Sequence, residues 1–108
     1  MLDSCSRWTH AEEQVARTAF DQAYQRETKS LIEVVRERAG AIAELDDIWA
    51  LHDFLSARRF DIDGKYDREQ PGLLFSLAQL VKEGWLQLDD LQELDPNKRA
   101  KVSALANM

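Results

Sequence analysis

A chain of 108 residues, 44% hydrophobic and 31% charged, is enough for one compact domain, too short for two independent ones, and globular in composition. Its net charge of -6 and pI of about 4.8 disfavour non-specific attachment to nucleic acid. The single cysteine, Cys5, excludes an intrachain disulfide, no apolar run nears the ~20 residues of a membrane span, and no signal-peptide core is seen, so a soluble intracellular protein is expected.

Residues 1–8 read as a short flexible lead. Thr9 followed by Glu12 forms a capping box, which predicts a helix start. Glycine and proline are then absent until Gly40, and Ala16, Phe20, Ala23, Tyr24, Leu31, Val34 and Val35 hold one apolar stripe. Ile42 and Leu45 continue it beyond the glycine, and Glu27 and Arg38 lie on its line as polar interruptions. A straight helix of ~30 residues would measure about 45 Å, against a radius of gyration near 13 Å for a 100-residue globule. So short a chain cannot wrap such a helix, which predicts burial of the stripe by a second copy, a homodimer. The alternative is that Gly40 or a bend splits it into two shorter helices folded on themselves.

Asp46 and Asp47 suit the start of a second helix ending near Asp63 or Gly64. At 100° per residue, Ile48, Leu51, Leu55 and Ile62 share an arc of roughly 60°, an ordinary core stripe. A separate arc of about 120° carries Trp49, His52, Asp53, Ser56, Arg59 and Phe60. A core needs one apolar face; a second face of aromatics, acid, histidine and arginine has the make-up of a protein-binding hot spot. Trp49 suits partner contact or dimer packing equally. Arg58 and Arg59 with nearby Lys65, and Lys98, Arg99 and Lys101, form two basic patches able to meet an acidic partner surface.

Pro71 is expected to open a third helix through Leu73, Leu74, Leu77, Leu80 and Val81, stopped at Gly84. Asp89 with Gln92 predicts a short fourth helix, and Asp95 followed by Pro96 a fifth, with Val102 and Leu105 inward. No stretch alternates with period two, so the fold class is all-α: one domain over 1–108, with long dimerising helices over 9–64 as a stalk and a helical head over 65–108.

Chemistry is excluded by what is missing. Two histidines and one cysteine cannot form a zinc constellation. Asp61-Ile62-Asp63-Gly64 resembles a calcium loop only until Gly64 is set at the sixth position, which puts Arg59 and Gln70 where ligands belong. Four scattered glycines make no phosphate-cradling loop. His52 and Asp53, adjacent on a helix, point about 100° apart, with no nucleophile placed beside them. No metal, cofactor, small-molecule substrate or enzymatic activity is expected.

The run Trp49-Ala50-Leu51-His52-Asp53-Phe54-Leu55-Ser56-Ala57-Arg58-Arg59, then Ile62-Asp63-Gly64-Lys65-Tyr66-Asp67, closely resembles the fluorescence recovery protein family of cyanobacteria. So do Ala23-Tyr24-Gln25-Arg26-Glu27, Ala78-Gln79-Leu80-Val81-Lys82-Glu83-Gly84 and the C-terminal Ala104-Leu105-Ala106-Asn107-Met108. The resemblance implies an all-helical homodimer that binds the photoactivated red form of the orange carotenoid protein, mainly through that partner's C-terminal domain. It would hasten return to the orange form and release from the phycobilisome, ending non-photochemical quenching in the cytoplasm beside the thylakoid membrane. The family's working surface maps onto Trp49, His52, Asp53 and Arg59, with Phe75 and Lys101 in the head. Ile48 takes a dimer-contact position, joined by Trp49, Leu31 and Val35, and Phe60 replaces a more polar residue. Two readings from other classes stand beside it. One is a dimeric helical adaptor or anti-sigma-type transcription regulator; the other is a plain coiled-coil protein, which the polar interruptions oppose.

Overall fold

The structure, a computed structural model, describes residues 8–66 and 72–108. Among these the chain is all-α: α1 (His10–Gly40), α2 (Leu45–Lys65), α3 (Leu73–Lys82), a 3-10 turn at Leu88–Leu91, and α4 (Pro96–Ala106). No described helix is long and apolar enough to cross a membrane. The expected lead over residues 1–7 and the helix start at Pro71 fall outside the described residues.

The predicted cap of α1 is present. Glu12 N–H donates to Thr9 Oγ1 at 3.0 Å, and Thr9 N–H donates back to Glu12 Oε1 at 3.1 Å, which satisfies two orphan donors of the first turn. The helix runs 31 residues and stops at Gly40. Its apolar stripe does not continue as helix through Ile42. Ala41 and Ile42 N–H groups close back on the Arg38 and Ala39 carbonyls, and Asp47 Oδ2 takes the N–H groups of Ala43 and Glu44, both at 3.0 Å. That second box starts α2 afresh, and it holds the Asp47 carboxyl below the usual carboxylate range.

α3 ends in a Schellman motif. Trp85 N–H reaches Leu80 O at 2.9 Å and Gly84 N–H reaches Val81 O at 3.0 Å, around Gly84 at φ +88°. The predicted short fourth helix is a 3-10 turn, and its box is displaced: Gln87 N–H donates to Asp90 Oδ2 at 2.8 Å. Here the acid three residues on reaches back, which the pair Asp89 and Gln92 did not reveal. Asp95 caps α4 by accepting from Asn97 N–H at 2.9 Å, with Pro96 in the first helical position as expected.

The chain forms two compact units, one of residues 1–25 with 70–108 and one of residues 26–69, and α1 contributes turns to both. The first unit holds a conventional core: Ala16, Ala19, Phe20 and Ala23 of α1, Leu77 and Leu80 of α3, then Leu86, Leu91, Leu94 and Val102, with α3 packed on α4. Burying the leucine, valine and phenylalanine side chains contributes about 1.5–3 kcal/mol each. Lys98 is buried here too, its Nζ 3.1 Å from both Glu12 oxygens and 5.3 Å from the ring of Trp8. Trp8, read from sequence as part of a flexible lead, is half-buried under this contact.

The second unit pairs the C-terminal turns of α1 with α2 in antiparallel register, seen in Arg38 lying 4.1 Å over the Phe54 ring and in Glu27 meeting Arg58 and Lys65. Its apolar burial is thin. Ile62 is its one buried hydrophobic residue among those described, while Leu31, Val34, Val35, Leu51 and Leu55 are half-buried.

Candidate functional site

The site is built on α2, whose inward side is fixed from within. Glu27 is fully buried and accepts from Arg58 Nη2 at 2.6 Å, from Lys65 Nζ at 3.0 and 2.9 Å, and from Tyr66 OH at 2.8 Å. Burial alone would push its carboxyl upward; the hydrogen bonds from Arg58, Lys65 and Tyr66 and the Lys65 charge outweigh that and hold it below its ordinary range. Arg58 also donates to Asp61 at 2.9 Å, and Lys65 lies 3.3 Å from the same carboxylate. Two of the three cations read as one basic patch are therefore engaged inside the unit. In the other patch Lys98 is buried on Glu12, and Arg99 donates to the Gln92 carbonyl at 2.9 Å. The surface cation left on α2's outer side is Arg59.

That outer side carries the expected residues in water. Trp49 is 55% exposed, and His52, Asp53, Ser56 and Arg59 are exposed as well. The Trp49 and His52 rings meet edge-on with centroids 6.5 Å apart, and His52 Nδ1 lies 3.3 Å from Asp53 Oδ1. This last contact corrects the sequence argument that neighbours on a helix do not face each other: two exposed side chains can swing together around a residue-to-residue turn. Arg59 has Asp63 at 3.8 Å one turn on. Exposed as both are, that pair contributes little and leaves the guanidinium available.

Phe75 on α3 and Lys101 on α4 belong to the other unit. Phe75 is exposed and borders a cleft of about 180 Å³ with Ala78, Gln79, Lys82, Leu105 and Met108; Lys101 is exposed on α4. The structure thus brings Trp49, His52 and Asp53 into contact and sets Arg59 farther along the same helix, while Phe75 and Lys101 stand on helices of the other unit. Ile48 is 45% exposed, so the α2 stripe read as core is left uncovered at its N-terminal end, and Leu45 and, on α1, Ile32 are exposed too. Sequence reading missed the Glu27 cluster. Its signal was an acid lying on the line of an apolar stripe.

Among the described residues no cluster of His, Cys, Asp and Glu could hold a metal ion. The profile of the family described as "Photoprotection regulator fluorescence recovery protein" matches residues 8–106. The fluorescence recovery protein of Synechocystis sp. (strain PCC 6803) is 48% identical over 101 residues, covering 94% of this chain and 93% of that protein. The solved fluorescence recovery protein of Fremyella diplosiphon superposes with a TM-score of 0.90 at 50% identity, and that of Synechocystis with 0.88 at 47%; each covers 94% of this chain and all of the solved one. A match of this extent carries the regulatory, non-catalytic character of the family with it. The chain belongs to the fluorescence recovery protein family of cyanobacterial photoprotection regulators.

Proposed function

We propose that this chain acts as a homodimer that binds the photoactivated red form of the orange carotenoid protein, mainly its C-terminal domain. By this reading it accelerates the partner's return to the orange form and promotes its detachment from the phycobilisome, which ends quenching on the cytoplasmic side of the thylakoid. The observation that carries the proposal is the outer face of α2: Trp49, His52, Asp53 and Arg59 exposed together on a helix whose opposite side is anchored by buried ion pairs. Rigid support beneath an exposed aromatic and arginine face is what a binding hot spot requires. Family membership supports the regulatory role.

The dimer rests on a different set. Ile48, Leu31 and Val35, with Trp49 at the edge, are apolar groups that one chain leaves partly in water, and a second copy burying them would add to the thin core of the described residues 26–66. Mechanistically, a protein speeds a relaxation only by binding its transition state more tightly than the starting state. Gripping one partner domain through α2, with Phe75 and Lys101 engaging the other, would raise the effective concentration of the two separated domains. Neither step needs a cofactor.

Arg59→Leu tests the assignment. Because Arg59 is exposed and contacts only Asp63 loosely, helicity and oligomeric mass should be unchanged while partner binding falls. Recovery kinetics identical to the unmodified protein would contradict it.

A further inference from the structure

Phe60 is the most exposed large hydrophobic residue among those described, at 84%. The fold gives no reason for it. The side of α2 that turns toward α1 carries Leu51, Phe54, Leu55, Arg58, Ile62 and Lys65, and Phe60 lies about 180° around the helix from Leu51 and about 160° from Ile62. What it does share is a line with Trp49. The two are 11 residues apart, about 16 Å along the axis and about 20° around it. Asp53 and Ser56 fall between them on that line, giving an exposed succession of Trp49, Asp53, Ser56 and Phe60 at i, i+4, i+7 and i+11. Arg59 flanks it. Anchors set along one helical line are how a helix docks in a protein groove.

We propose that Phe60 is a second aromatic anchor of the α2 face, and that the regulated partner offers a groove with two apolar pockets about 16 Å apart, with a carboxylate beside the second pocket for Arg59. The inference rests on the function proposed above. It commits to that partner rather than to a second copy of this chain. Of the α2 residues proposed for self-association, Ile48 lies about 120° around the helix from Phe60 and Trp49, at the edge of that set, lies about 16 Å along the axis from it, so a dimer centred on Ile48 leaves this ring in water. The edge of the proposed partner surface therefore extends three helical turns beyond Trp49, and affinity depends on both ends.

The test compares the unmodified protein, Phe60→Ser and Phe60→Leu in accelerating dark recovery of photoactivated orange carotenoid protein, with circular dichroism and light scattering alongside. Phe60→Ser should raise the half-saturating concentration about tenfold and Phe60→Leu less, with helicity and mass unchanged. Half-saturation within twofold of the unmodified protein would overturn the anchor while leaving the function intact. A changed oligomeric mass would overturn it in favour of a self-association surface. No acceleration by the unmodified protein would overturn the functional reading and the anchor together.

Discussion

Glu27 on α1 and Lys65 in the last turn of α2 form a two-pronged ion pair, the ammonium 3.0 and 2.9 Å from the two carboxylate oxygens, with both side chains out of water. Arg58 completes the site from one side and Tyr66 from another. A buried ion pair adds little net stability over an apolar filling, but removing one member strands the others. Glu27→Gln should therefore destabilise residues 26–69 by about 3–5 kcal/mol, read as a shifted urea midpoint. A shift within error of zero would show that water reaches the cluster.

The same cluster sets a pH dependence. Glu27, and Glu12 through the Thr9 N–H, Lys98 and the Asp95 N–H, are held below the ordinary glutamate value of 4.5 in the folded chain. A depressed carboxyl contributes fully above its unfolded value and loses that contribution as pH falls through its folded one. The melting temperature should stay level on their account from neutral pH down to the ordinary value of 4.5, then drop below it. In Glu27→Gln the acid-side drop should be shallower.

Gly84 closes the Schellman motif at φ +88°, where an added Cβ meets no neighbour. Gly84→Ala should accordingly cost only the left-handed backbone penalty, about 1–2 kcal/mol, with the fold kept. A larger loss in thermal melts would indicate that the Trp85 contact depends on this turn.

Ile48 is left 45% exposed by one chain. Ile48→Glu should leave helicity intact and convert a dimer to single chains of 12.4 kDa by light scattering. An unchanged dimer mass would remove this residue from the proposed interface.

Local signals were legible in the sequence. The Thr9 and Glu12 box, the Asp95 cap with Pro96 and the period that separates Trp49 from Leu51 all depend on residues within a few positions of each other; the break at Gly40 stays open at that level, because the apolar stripe runs on to Ile42 and Leu45. The contacts that decide which charges face outward are not local. Arg58 and Lys65 find Glu27 across 31 and 38 residues, so a run of neighbouring cations looks like one surface patch until the helices are paired. Arg38, an interruption of the stripe when read alone, stacks on Phe54 of α2. The outer face of α2 was readable because it depends only on helical period; its neighbour contacts, His52 with Asp53 and Arg59 with Asp63, depend on side-chain rotamers and were not.

The most direct measurement is the dark rate at which photoactivated orange carotenoid protein returns from red to orange, with increasing amounts of this protein. The rate should rise and saturate, with Arg59→Leu abolishing most of the gain. A well-folded dimer that leaves the rate unchanged at every concentration would contradict the proposed function.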